Sequence, residues 1–159
     1  MVIFFETTRK GKDRDLGELI ESIVERFSRS VHVITSSTIE ATRIDNLLWT
    51  FKKESFIPHV ILGPGESTEE RLEKVFITVG LTVLQNCDVV IPLDVDQGED
   101  IFLSYKDGIV IVLGDDQDQK ERARELWRRL ARLNVPRHHV FSRDKNSWLE
   151  LLNHVWEKA

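Results

Sequence analysis

Short unbroken apolar runs, separated by stretches of helical periodicity, constrain the fold of this chain more than any other feature. The runs are "VIFFE" (2–6), "VHVIT" (31–35), "HVILG" (59–63), "KVFITVG" (74–80), "DVVIPL" (88–93) and "GIVIVLG" (108–114). Most are continuous rather than alternating, as expected of strands covered on both faces. Between them, "DLGELIESIVERFSRS" (15–30) repeats Leu16, Leu19, Ile20, Ile23, Val24 and Phe27 at helical spacing. Ser37 and Glu40 make a capping-box pattern that opens a helix from about Thr38 to about Thr50. A basic helix is predicted from Gln117 to Leu133, a short strand over "HHVFS" (138–142), and an amphipathic helix over "NSWLELLNHVWEK" (146–158). Alternating strands and helices predict one α/β domain, with a mostly parallel sheet and helices on both faces. A length of 159 residues suits a single core. "DVDQGED" (94–100) reads as a loop.

Charge and cysteine usage narrow the function. The formal net charge of −5 argues against a surface built to coat nucleic acid. It hides an uneven distribution: "KERARELWRRLAR" (120–132) carries six Lys or Arg against two Glu. A basic patch on an acidic protein points to a local acidic partner. No apolar run approaches the roughly 20 residues needed to span a bilayer. The start, "MVIFFETTRKGK", is apolar first and basic afterwards, the reverse of a secretory signal. Cys87 is the only cysteine, which excludes an internal disulfide and a cysteine metal cluster. A cytoplasmic location is the simple expectation.

The motifs of α/β enzymes are missing. "GPGEST" (63–68) follows a strand but lacks the lysine and spacing of a P-loop and the GxGxxG of a dinucleotide site. Pro64 also removes a backbone donor that a phosphate cradle needs, so a plain turn is expected. His32, His59, His138, His139 and His154 include no pair at helical ligand spacing. Cys87, just before a strand, reads as a structural thiol. The acids of "GDDQD" (114–118) lie where α/β proteins place catalytic groups, but also where a helix N-terminus collects carboxylates. With no nucleophile–base–orienter set, neither an enzyme nor a cofactor or metal site is expected.

Two surfaces look built for partners instead. On the basic helix, Ala123, Leu126, Leu130 and Leu133 share a face that should pack on the sheet. Lys120, Arg124 and Arg128 stack at i, i+4 and i+8 on another face, where their charges repel, with Trp127 between the two rows. An apolar niche beside stacked cations suits a peptide carrying a carboxylate and a hydrophobic side chain. It also suits a single-stranded nucleic acid with one stacked base, and the plain alternative is a solvated face with Trp127 in the core. In the helix 38–50, Ile44, Leu47, Leu48 and Phe51 form the core face, while Trp49 points about 140° from Ile44. Either the following loop covers Trp49, or another protein does. Phe56 lies close by, and Pro58 stiffens the loop that carries it.

"ATRIDNLLWTFKKESFIPH" (41–59) closely resembles the signature of the chi subunit family of bacterial DNA polymerase III, in which a helix ending in Leu-Trp leads into a Ser-Phe-x-Pro-His loop. The order of elements fits over residues 1–142, and Lys120, Arg124, Trp127 and Arg128 fall at the family's basic and aromatic positions, with tryptophan in place of tyrosine. The resemblance implies a Rossmann-like three-layer domain without a P-loop, a non-catalytic accessory protein, and no cofactor. Such proteins connect the clamp loader to the single-stranded-DNA-binding protein by gripping its acidic C-terminal tail, which ends in phenylalanine, so contact with DNA would be indirect. By this resemblance Lys120, Arg124 and Arg128 would pair with the tail's carboxylates, and Trp127 would help line the phenylalanine pocket. Trp49, Phe56 and Pro58 would meet the psi subunit or a competing XPD-like helicase. The segment 143–159 departs from the family pattern as an added helix that covers the sheet, forms a new interface or blocks the basic groove.

Overall fold

The computed structural model describes residues 1–8, 10–93 and 103–157, so the loop expected over 94–100 lies outside the described residues. Seven strands form one sheet: β1 (Val2–Glu6), β2 (Val31–Thr35), β3 (His59–Ile61), β4 (Val75–Val79), β5 (Val89–Pro92), β6 (Ile109–Leu113) and β7 (Arg137–Phe141). Their order is β3-β4-β2-β5-β6-β1-β7, and every described pairing is parallel. The apolar runs of the sequence supply the central strands, with β2 buried along its whole length.

Connection direction sets the layers. The chain passes from β1 to β2 through α1 (Lys12–Glu21), extended by a π-helical turn at Ser22–Arg26, and from β2 to β3 through α2 (Thr38–Thr50). Both moves run the same way across the sheet, so right-handed crossovers put both helices on one face. The move from β6 past β1 to β7 runs the other way, and its helix α3 (Gln117–Arg132) lies on the opposite face. The architecture is therefore three-layered, with helices on both faces.

Local signals place the ends of these helices. Ser37 Oγ accepts from Glu40 N at 3.1 Å, while Glu40 Oε1 accepts from Ser36 N, one residue earlier than a standard capping box. Asp116 caps α3, accepting from Asp118 N and Gln119 N, so the acids after β6 serve the helix start. Gln119 then bridges back to β6 through Gly114 N and Val112 O. At the other end, Asn134 takes the left-handed conformation (φ 57°) and Val135 N donates to Leu130 O, a Schellman-type stop. That stop corrects one expectation: Leu133 ends the helix as its cap and is 56% exposed, leaving Ala123 and Leu130 as the buried residues of α3.

Helix α4 (Lys145–Trp156) returns to the α1/α2 face. Trp148, Leu152 and Trp156 are buried there. Trp148 meets Phe5 edge-on at 5.5 Å and donates Nε1–H to Ser142 O; Trp156 meets Phe27 the same way and donates to Asp107 O. Because α3 sits on the other face, α4 leaves the basic helix uncovered. Gly17 of α1 permits the close approach of α2: a Cβ there would lie 2.6 Å from the Phe51 ring. No helix among the described residues is long and apolar enough to cross a membrane.

Candidate partner-binding sites

A cavity of about 350 Å³ opens between α3 and the sheet. Phe4 and Leu113, from β1 and β6, and Ala123 of α3 provide its apolar lining. Lys120, Arg124, Trp127 and Arg128 all contribute from α3, and Glu6 and His139 from β1 and β7. The parallel pairing of β1 with both β6 and β7 is what aligns these strand residues. Trp127 is half-buried: its ring lies 5.3 Å from Phe4, and the Arg137 guanidinium stands over it at 4.6 Å. It lines an apolar pocket rather than forming an open stacking platform.

The cations are not an unrelieved row of like charge. Glu121 Oε2 holds Arg124 Nη1 at 2.8 Å, and Glu125 Oε1 lies 3.9 Å from Arg128 Nη1. The repulsion expected from the spacing of Lys120, Arg124 and Arg128 is thus eased by glutamates one helical turn earlier. Such exposed pairs are worth only about 0.2–1 kcal/mol, so an incoming carboxylate can exchange with them. Glu6 is similarly engaged, 3.1 Å from His139 Nε2.

The second site lies beyond the C-terminal end of α2. Trp49 is 52% exposed and Phe56 64%, with their rings 5.8 Å apart. Trp49 also packs on His59 at 4.7 Å. His59 is buried beneath it, bonded through Nδ1 to Ile57 O; its Nε2 lies 3.1 Å from Asp45 Oδ1 but is not aligned for a hydrogen bond. The loop is anchored rather than loose. Glu21 of α1 receives Ser55 Oγ and Lys52 Nζ, Ile57 is buried, and Pro58 O accepts from Lys74 N and Val75 N. Alternation between a buried Ile57 and an outward Phe56 is what extended backbone dictates. The following loop therefore adds a second ring to the surface instead of covering Trp49.

Other candidate groups are structural. "GPGEST" forms a turn in which Glu66 N donates to Gly63 O and Gly65 takes φ 80°, with no helix start among the described residues to cradle a phosphate. Cys87 is a free buried thiol whose pKa burial pushes up to about 11. His32 sits in the core between Tyr105 Oη (2.6 Å) and Thr78 Oγ1 (2.8 Å), and desolvation lowers its pKa to about 3. Of the residues lining the cavity, Phe4, Glu6, Leu113 and His139 had no signal of their own in the sequence. Phe4 reads as one more strand residue, and only the sheet order brings β7 beside β1.

The chain is a Rossmann-like α/β domain that carries an apolar cavity rimmed by cations and a separate aromatic patch. Residues 1–138 match the model of the DNA polymerase III chi subunit, HolC, and the chain belongs to that family. Chi is a non-catalytic accessory subunit of the DNA polymerase III holoenzyme, which places the chain in DNA replication. No curated protein matches the sequence. Among solved structures, the C-terminal domain of S. cerevisiae Dbp5, bound to Gle1 and IP6, superposes with a TM-score of 0.69 at 15% identity, covering 98% of each chain. A second structure of the C-terminal domain of the DEAD-box protein Dbp5 gives 0.66 at 14% identity, covering 96% of each chain. Against a longer S. cerevisiae Dbp5 chain the match covers 99% of this chain and 46% of that one, at 0.66 and 13% identity. At such identities the likeness concerns the fold alone.

Proposed function

We propose that this chain links the clamp loader of DNA polymerase III to the single-stranded-DNA-binding protein by gripping that protein's acidic C-terminal tail. The observation that carries the reading is the cavity beneath α3, which joins an apolar floor of Phe4 and Ala123 to a rim of Lys120, Arg124 and Arg128. A terminal phenylalanine fills the floor beside Trp127, and the tail's carboxylates replace Glu121 and Glu125 as partners of the arginines. Trp49, Phe56 and Pro58 form a second docking surface, for the psi subunit or an XPD-like helicase. The protein works in the bacterial cytoplasm, at the nucleoid during replication, and contacts DNA only through its partners.

A calorimetric titration tests this with an acidic tail peptide, with and without its final phenylalanine. The expected affinity is micromolar, about −8 kcal/mol, and weakens as salt rises. Equal binding of the truncated peptide, or unchanged binding after Arg124→Ala, refutes the reading. Direct binding of single-stranded nucleic acid by residues 117–133 is the competing reading. It requires a steep salt slope without any tail, and the engaged Trp127 ring and interleaved glutamates weigh against it.

A further inference from the structure

Among the described residues the sheet ends at β3, which pairs with β4 on one side and with no strand on the other. Register decides which of its main-chain groups are engaged. His59 lies opposite Val75 and Ile61 opposite Ile77; Val75 N donates to Pro58 O, and Leu62 N to Ile77 O. Alternate residues of a strand face the same neighbour, so Pro58, Val60 and Leu62 serve β4. His59 and Ile61 therefore turn their N–H and C=O groups outward. Among the described residues, no hydrogen bond meets these main-chain groups.

A free edge is a template for another strand, and proteins commonly blunt it with charge, proline or a bulge. The strand His59-Val60-Ile61 holds no lysine, arginine, aspartate or glutamate. Pro58 does not close the edge, because the N–H it lacks would have faced β4. The opposite edge strand, β7, carries Arg137, His138 and His139 and is better defended.

The aromatic surface borders this edge. Asp45 and Trp49 lie one turn apart on α2 and both reach His59, at 3.1 Å and 4.7 Å, so this side of α2 overlooks β3. Trp49 and Phe56 stand at the start of the strand. Ile61, 39% exposed, lies two residues beyond His59, about 7 Å further along.

Resting on the reading of Trp49, Phe56 and Pro58 as a docking surface, we infer that the protein docked there extends the sheet, laying one extended apolar segment along the free edge of β3. One side chain of that segment lies against Trp49, and another, two residues away, covers Ile61. Its main chain pairs with the outward groups of His59 and Ile61. The main-chain bonds supply affinity, and the rings of Trp49 and Phe56 select the partner. Continuity between the edge and the aromatic pair assigns the segment to that partner rather than to a second copy of this chain.

The test uses purified psi subunit. Amide hydrogen exchange of the chain is followed residue by residue by NMR, free and saturated with psi. The outward amides of His59 and Ile61 are expected to slow at least about tenfold on binding, while Val60 and Leu62, already bonded to β4, change little. Affinity is measured in parallel for the wild type, Trp49→Ala, Ile61→Pro and Ile61→Val, with thermal melts to confirm folding. Ile61→Pro removes an outward donor without touching the ladder to β4 and should weaken binding about tenfold. Ile61→Val keeps that donor and should stay within about twofold of the wild type. Unprotected edge amides in a complex that Trp49→Ala disrupts, or equal affinities of Ile61→Pro and Ile61→Val, overturn strand addition and leave the docking surface intact. If Ile61→Pro does not fold, the exchange measurement decides alone. If psi does not bind, or if Trp49→Ala changes nothing, the docking reading falls and the inference with it. A free chain that dimerises in light scattering, and is monomeric as Ile61→Pro, gives the edge to a second copy and also overturns the inference.

Discussion

Trp148→Ala should destabilise the protein far more than Trp49→Ala, although both remove an indole from a helix. Trp148 is 1% exposed, packs edge-on against Phe5 of the central strand β1, and donates its indole N–H to the Ser142 carbonyl. Truncating a buried aromatic to alanine costs about 3–5 kcal/mol. The upper end applies here, because the aromatic pair contributes about 0.5–1.5 kcal/mol and the Ser142 carbonyl loses a partner worth about 1 kcal/mol. Trp49, half exposed, should cost under about 1 kcal/mol. Domains are stable by only about 5–15 kcal/mol, so Trp148→Ala consumes a large share. With a urea slope of about 2 kcal/mol/M, its midpoint should fall by about 2 M, and that of Trp49→Ala by no more than about 0.5 M. Urea unfolding followed by far-ultraviolet circular dichroism measures both. Equal shifts in the two variants would refute the argument that α4 is an integral layer of this domain.

Three further outcomes follow from the same geometry. Glu121→Gln releases Arg124 from its 2.8 Å partner and should tighten binding of the acidic tail peptide about two- to fivefold at low salt; unchanged or weaker affinity in the same titration counts against the use of Arg124. Cys87, buried and with its pKa raised to about 11, should resist thiol reagents at neutral pH and react fully once urea unfolds the chain, which a colorimetric thiol assay reads directly. His32 is neutral when folded, with a pKa near 3, against about 6.5 unfolded, so the unfolded state binds more protons between those values. Stability should therefore drop as pH falls below about 6.5, by up to about 1.4 kcal/mol per pH unit from this residue, and His32→Gln should show a shallower loss between pH 7 and pH 5.

Much of the architecture was legible in one dimension. Unbroken Val/Ile runs such as "GIVIVLG" have nowhere to go but a sheet covered on both faces, and the strand–helix alternation forces parallel pairing because each return needs a crossover. Helical periodicity alone turned Trp49 outward, and the Ser37–Glu40 pattern marked the start of its helix. Helix ends were harder to read. Leu133 fits the apolar stripe of α3 by spacing, yet the left-handed Asn134 stops the helix there and leaves Leu133 in solvent. Spacing also showed three stacked cations without showing that Glu121 and Glu125 reach forward to share them.

What the sequence determined by itself was local: which segments form strands and helices, which face of each helix is apolar, and which rings and cations face away from the core. These follow from periodicity and backbone chemistry, which act over a few residues. The tertiary structure decided everything that depends on which strands become neighbours. Phe4, Leu113 and His139 are more than a hundred residues apart in part, and they share one cavity because β6 and β7 both pair with β1. Crossover sense put α3 on one face, and packing of Trp148 and Trp156 into the core holds α4 on the other, so that α4 leaves the basic groove uncovered.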